Sequence, residues 1–156
     1  MQFTIGQSEF VEALTAVANI VPARTPLPII GNLLLEAKSD ELALSATDLD
    51  LSVTIRVKAK VESPGRVTLP ARKLTDMIRA LPPSPVRVRG EAEHVTVDCE
   101  NSQFRVHGLP AEDFPTFPSL GFEDGLTVTA GTIEKLAAHT SFAASSEDTR
   151  PILNGV

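Results

Sequence analysis

Apolar and polar residues alternate with period two over most of the first two thirds of the chain, and the period lengthens to three or four in two places. In the first, Phe10, Ala13, Leu14, Val17 and Ile20 form one apolar stripe with Glu12, Thr15 and Asn19 opposite, which predicts an amphipathic helix. Ser8 is placed to cap it. Pro22, Pro26 and Pro28 end it and stiffen a loop carrying Arg24. In the second, Pro70 precedes Leu74, Met77, Ile78 and Leu81, a buried stripe following a helix-starting proline. Arg72, Asp76 and Arg79 form a separate, exposed stripe on that helix.

Elsewhere the alternation predicts strands with one face on a core and one in solvent. They are residues 3–5, an apolar run at 29–37, a turn at Ser39-Asp40, then Leu42/Leu44/Ala46 and Leu49/Leu51/Val53/Ile55/Val57. Pro64-Gly65 leads to a strand at 66–69. After Pro82-Pro83-Ser84-Pro85 come Val86/Val88, Val95/Val97/Cys99 and Phe104/Val106. The expected fold class is α+β, with two helices packed on antiparallel sheet.

Residues 108–125 carry Pro110, Pro115 and Pro118 and read as a linker. Beyond them the N-terminal order returns at a constant offset of 123 (Phe10 falls on Ile133). Phe3-Thr4-Ile5 falls on Leu126-Thr127-Val128, and Pro28-Ile29-Ile30 falls on Pro151-Ile152-Leu153. A second helix start at Gly131 or Thr132, with Ile133, Leu136 and Ala137 inside, and a strand from Pro151 are expected. Matched order points to a repeated unit. The chain reads as one unit at residues 1–120, followed by a linker and a truncated second repeat at 121–156.

The chain has 156 residues, 42% of them apolar, enough for a core of domain size. Fourteen basic against twenty acidic residues give a net charge of −6, which argues against a uniformly basic nucleic-acid coat but leaves room for a local basic patch. Trp and Tyr are absent and Phe numbers seven, too few aromatics for a single-strand binder built on base stacking. The single cysteine, Cys99, excludes a disulfide framework. No apolar run is long enough to span a bilayer and no charged leader precedes an apolar stretch, so a soluble cytoplasmic protein is expected.

Candidate chemistry is sparse. There is no glycine-rich phosphate loop and no Gly-x-Ser-x-Gly elbow, and His94, His107 and His139 lack metal-ligand spacing. Asp48 and Asp50 share one face at a strand start: they suit a divalent cation, as in a metal-dependent hydrolase, or simply a polar strand end. Arg24, Arg72 and Arg79 suit bidentate phosphate contact or a solvated face. The strand Gln103-Phe104-Arg105-Val106 precedes the linker and reads either as a packed strand or as a sheet edge that pairs with another chain, with Lys73 beside it or facing water.

Several longer segments together resemble the bacterial sliding clamps, the β subunits of DNA polymerase III. These are Leu27-Pro-Ile-Ile-Gly-Asn-Leu-Leu-Leu35, Ala46-Thr-Asp-Leu-Asp50, Leu69-Pro-Ala-Arg-Lys-Leu74 with Arg79-Ala-Leu-Pro82, Leu109-Pro-Ala-Glu-Asp-Phe-Pro115 and Asp148-Thr-Arg-Pro-Ile-Leu-Asn-Gly-Val156. The resemblance implies three similar α+β domains per subunit, two subunits closed head to tail around duplex DNA, helices lining the hole and acidic sheets outside. It implies a non-catalytic processivity factor without a cofactor, binding DNA without sequence preference. Its implied partners are the polymerase III catalytic subunit, the clamp loader and other proteins carrying clamp-binding peptides. Arg24, Arg72 and Arg79 fall on DNA-facing positions, and Lys73 with Gln103, Phe104, Arg105 and Val106 on the dimer interface. Leu153, with Arg150 nearby, falls at the start of the peptide groove. Glu147 stands where relatives often carry an uncharged residue, and Pro151-Ile152 replace an aromatic pair.

Overall fold

The aromatic and β-branched run Phe3-Thr4-Ile5 gives the interior strand β1 (Gln2–Gly6), and the chain turns directly into helix α1 (Gln7–Ala18). The computed structural model describes residues 1–91, 93–117, 126–145, 149 and 151–155, and the chain divides into two compact units, Met1–Phe117 and Pro118–Val156. In the first unit a 3-10 turn (Pro28–Gly31) precedes β2 (Asn32–Lys38), β3 (Glu41–Thr47), β4 (Ser52–Lys58), β5 (Lys60–Ser63) and β6 (Gly65–Pro70). Helix α2 (Ala71–Arg79) follows, then β7 (Pro85–Glu91), β8 (His94–Cys99) and β9 (Ser102–His107). The strands form two antiparallel sheets, in order β5-β1-β7-β8-β9 and β4-β3-β2-β6.

The alternating residues supply one apolar face per sheet. Phe3, Ile5, Val86, Val88, Val95, Val97 and Cys99 from one, and Leu33, Leu35, Leu42, Leu44, Val67 and Leu69 from the other, are buried in a single core with the helix stripes. In α1 the buried residues are Phe10, Ala13, Leu14 and Val17, and in α2 they are Ala71, Leu74, Thr75 and Ile78. The Phe10 ring meets Phe3 edge-on at 6.1 Å, fixing α1 over β1. Gln7 Nε2 donates to the Ile78 carbonyl at 3.0 Å and joins the two helices. Burial raises the pKa of the Cys99 thiol above its ordinary value, with Glu100 adding to the shift.

Several local expectations change. Ser8 lies inside α1, and Gly6 occupies the cap position without a side-chain bond, because β1 runs straight into the helix. The apolar run at 29–37 opens as the 3-10 turn, Pro28 having set its first residue, before β2 begins. Leu49 and Leu51 do not extend β4: they sit on the β3–β4 loop, 60% and 50% exposed. Where one strand ends at Lys58 the chain crosses to the other sheet through buried Ala59, whose N–H donates to the Asp40 carbonyl, and starts β5. Ser39 and Asp40 make the expected two-residue hairpin, both with left-handed φ (49° and 61°), as a type I′ turn demands.

The end of β9 is tied to the second sheet by one buried hydroxyl. Thr68 Oγ1 donates to the Leu109 carbonyl (2.7 Å) and accepts from Leu109 N–H (3.1 Å) and Asn32 Nδ2 (3.1 Å). Leu109 also bridges to Thr68 along the outer edge of β6. Glycine is required just before it: a Cβ on Gly108 would lie 1.9 Å from the Thr68 carbonyl oxygen. On the outer face Arg89 of β7 pairs with Asp98 of β8 at 2.6 Å, and Gln103 of β9 donates to the same carboxylate at 2.7 Å. The Gln103 hydrogen bond first, and Arg89 after it, hold the Asp98 carboxyl below its ordinary pKa.

In the second unit Thr129 caps α3 (Ala130–Thr140), its side chain accepting from Thr132 N–H. The helix therefore opens one or two residues before Gly131 or Thr132, and at the offset of 123 it overlies α1. Its apolar residues Ile133 and Leu136 are exposed rather than inside. Residues 126–128 form no strand among the described residues, having none of the flanking strands that hold β1. Pro151–Leu153 forms a 3-10 turn instead of a strand, as Pro28–Gly31 does at the matching place.

Two substitutions test these junctions. Gly108→Ala should destabilise the first unit by about 2 kcal/mol, since backbone must shift to admit the methyl group, and chemical denaturation measures it. Asp98→Asn should remove an acid-sensitive contribution. A depressed native pKa stabilises above the unfolded value and is lost as pH falls through the native one, so the wild-type protein should lose more stability on acidification than the variant.

Candidate nucleic-acid and subunit interfaces

Helix α2 presents Arg72, Lys73, Asp76 and Arg79 to solvent because Ala71, Leu74, Thr75 and Ile78 take the inward positions at helical spacing. Arg79 lies in the last turn, where the helix dipole favours a cation, and its Nη2 donates to Thr15 Oγ1 of α1 at 3.3 Å. That bond holds the guanidinium over the α1–α2 junction without neutralising it. Arg24 is exposed in the bend between α1 and the 3-10 turn. Among the described residues neither Arg24, Arg72 nor Arg79 has a carboxylate within 4 Å, and Asp76 pairs with neither helical arginine.

The outer face of the five-stranded sheet does not match the acidic exterior implied by the resemblance. Its outward rows carry Lys60, Arg87, Arg89 and Arg105 against Glu62, Glu91 and Asp98, with Glu62 and Asp98 already paired to Arg87 and Arg89. The Arg87 hydrogen bond is the main cause of the lowered Glu62 pKa.

Among the described residues β9 is an edge strand, hydrogen-bonded to β8 on one side only. Gln103 and Arg105 are exposed on the outward row, Gln103 held by Asp98. Phe104 lies on the inward row opposite Val97 yet remains 40% exposed, leaving aromatic surface at the open edge. Val106 is 3% exposed and belongs to the core of its own unit, so only its backbone is available there. Lys73 is exposed on α2, and among the described residues it makes no ion pair with β9. Leu153 is 48% exposed in its 3-10 turn, its carbonyl accepting from Ser145 N–H. Arg150 and Glu147 lie outside the described residues.

Asp48 is committed to its loop. One carboxylate oxygen accepts the N–H groups of Asp50 (3.0 Å) and Leu51 (2.7 Å), while Thr47 Oγ1 accepts Leu49 N–H and donates to the Leu51 carbonyl. This ring of bonds holds Leu49 at a φ of 85°, outside the usual range for a branched side chain. The Asp48 carboxylate thus shapes a turn, as Asp does at strand ends, with Asp50 held through its N–H. Among the described residues no group of three or more His, Cys, Asp or Glu is arranged around a common metal position. Sequence reading missed Arg56, exposed on the outward row of β4. Its polar place in the alternation was visible, but the fact that β4 is an edge was not.

Comparison with known proteins accords with this architecture. Residues 1–118 match the family described as DNA polymerase III beta subunit, N-terminal domain. The chain is similar over its whole length to the beta sliding clamps of Streptomyces coelicolor (35% identity, 41% of that protein covered) and Chlamydia trachomatis (36%, 38% covered). It therefore spans about two fifths of the length of these relatives. Among solved structures, the Caulobacter crescentus sliding clamp superposes on 99% of the chain and 43% of its own, with a TM-score of 0.87 at 36% identity. The beta subunit from Streptococcus pyogenes superposes on all of it and 43% of its own at a TM-score of 0.95 and 24% identity, a likeness of fold. With the family match covering the unit that holds both helices and both sheets, the chain belongs to the DNA polymerase III beta-subunit family, through its N-terminal domain.

Proposed function

We propose that residues 1–120 are the first domain of a bacterial replicative sliding clamp and that residues 121–156 open the second. The whole protein is then a non-catalytic processivity factor, a homodimeric ring that encircles duplex DNA and tethers the polymerase. The reading is carried by one observation: on a fold shared with the Caulobacter clamp, Arg24, Arg72 and Arg79 stay exposed and, among the described residues, without a carboxylate within 4 Å. A few unpaired arginines attract the phosphate backbone without reading bases, and a ring that slides requires contacts that are sequence-independent and individually weak. Tethering works by raising the effective concentration of the polymerase at the primer end, which needs no reacting group.

Subunit contact falls on the β9 edge, with Phe104 as the apolar anchor, Gln103 and Arg105 beside it, Val106 contributing backbone, and Lys73 on α2. Arg150 and Leu153 begin the groove that takes peptides from the polymerase III catalytic subunit, the clamp loader and other clamp-binding proteins. Replication on the chromosome places the protein in the cytoplasm, at the nucleoid.

A chimera tests the reading: residues 1–117 replace the corresponding domain of the Caulobacter clamp. The chimera should load onto nicked circular plasmid, remain bound through gel filtration, and be lost when the plasmid is linearised. A folded, dimeric chimera that is not retained would overturn the proposal. Reversing Arg24, Arg72 and Arg79 to Glu should weaken DNA association equally across sequences and lower the salt slope by about one per lost phosphate contact. Phe104→Ala should shift the chimera toward monomer in sedimentation.

A further inference from the structure

The two histidines of the first unit lie far apart in sequence and side by side in the fold. His94 opens β8, His107 closes β9, and the ladder sets them directly opposite each other. Both are exposed, with ring centroids 4.8 Å apart and ring planes at 60°. Their neighbours Val95 and Val106 take the inward row, so both imidazoles stand on the outward one. Neither DNA association nor subunit contact, as argued above, uses them.

The surrounding bonds hold the pair in place. Gly108 N–H donates to the Glu93 carbonyl at 2.7 Å, tying the β7–β8 turn to the end of β9, and Gly108 lies against the Thr68 carbonyl. The Glu93 carboxylate is 3.5 Å from His107 Nε2. A carboxylate on one ring nitrogen fixes the tautomer and the ring, and leaves the other nitrogen, Nδ1, to act as a ligand. Glu91 of β7 faces His94 from the other side. The cations of the adjoining row, Arg89 and Arg105, flank Thr96, and Arg89 is paired with Asp98.

With metal–nitrogen bonds of about 2.0–2.1 Å, two imidazoles sharing one tetrahedral ion place their ring centres roughly 5 Å apart. The spacing of His94 and His107 matches that, and exposed imidazoles can turn about χ2 to aim their nitrogens into the gap. We propose that His94 and His107 together bind one divalent transition-metal ion of the imidazole-preferring kind, such as zinc, on the outward face of β8 and β9. Glu93 is a positioning residue that acts through His107. Among the described residues no third His, Cys, Asp or Glu joins them around one position, so water completes the coordination and the ion exchanges readily. Bound there, the ion clips the end of β9 to β8. The inference rests on this ladder alone and stands apart from the ring reading.

Calorimetric titration of the untagged 156-residue chain with zinc chloride tests it, with the imidazole nitrogen resonances followed by NMR. One ion should bind per chain, shifting the resonances of His94 and His107 and leaving those of His139 on α3 in place. His94→Gln and His107→Gln should each weaken binding about tenfold or more. Glu93→Gln should weaken it less and alter the tautomer balance that the His107 nitrogens report. Only neutral imidazole is a ligand, so affinity should fall as pH is lowered from about 7.5 to about 5.5. Absence of saturable binding by the wild-type chain would overturn the site, as would undiminished affinity in both histidine variants or shifts confined to His139. Circular dichroism of each variant checks that the fold is retained.

Discussion

Two sheets share one apolar layer beneath only two helices, and the rest of the unit follows from that constraint. Nine strands offer two inward faces, and α1 and α2 with their eight buried residues close the space between them. Burial of aliphatic and aromatic side chains is the main favourable term in such a unit. Because the helices commit their apolar stripes inward, their remaining surface must be polar, and there stand Arg72 and Arg79. Because each sheet is open among the described residues, an edge strand such as β9 is paired on one side only. Polar helix faces and unfinished sheet edges are thus products of one core.

Such a layered core would let the sheets slip at their ends, and the Thr68 hydroxyl prevents it there. Completely buried, it serves as donor once and acceptor twice, so the hydroxyl itself is fully satisfied at the crossing from β9 to β6. A buried hydroxyl is favourable only when so satisfied. The price of the close approach is that residue 108 cannot carry a side chain.

Much of this was legible in the sequence, for physical reasons. The helix stripes of α1 and α2 are long and periodic, and Ser39-Asp40 is a turn whose two left-handed residues are tolerable for Asp and Ser in a two-residue loop. Leu49 and Leu51 misled because alternation continues through a loop: period two reports spacing, and only the bonds made by Thr47 and Asp48 divert the backbone. β5 was hidden because Lys58 and Lys60 continue one pattern while the chain changes sheets at Ala59. The basic candidates were visible as exposed residues. Whether an arginine is free of carboxylates depends on cross-strand neighbours such as Asp98, and strand order is not written locally. Val106, an apolar position of the alternation that the resemblance puts at the dimer interface, fills the core of its own unit with its side chain, and Arg56 drew no attention.

Cys99 gives the sheet a reporter of its own opening. It is the only cysteine in the chain, it is 2% exposed on β8, and burial keeps its thiol protonated above the ordinary range. Only the thiolate reacts with alkylating reagents. Modification must therefore wait for β8 to separate from its neighbours, and under conditions where closing outpaces reaction the labelling rate reads the free energy of that local excursion.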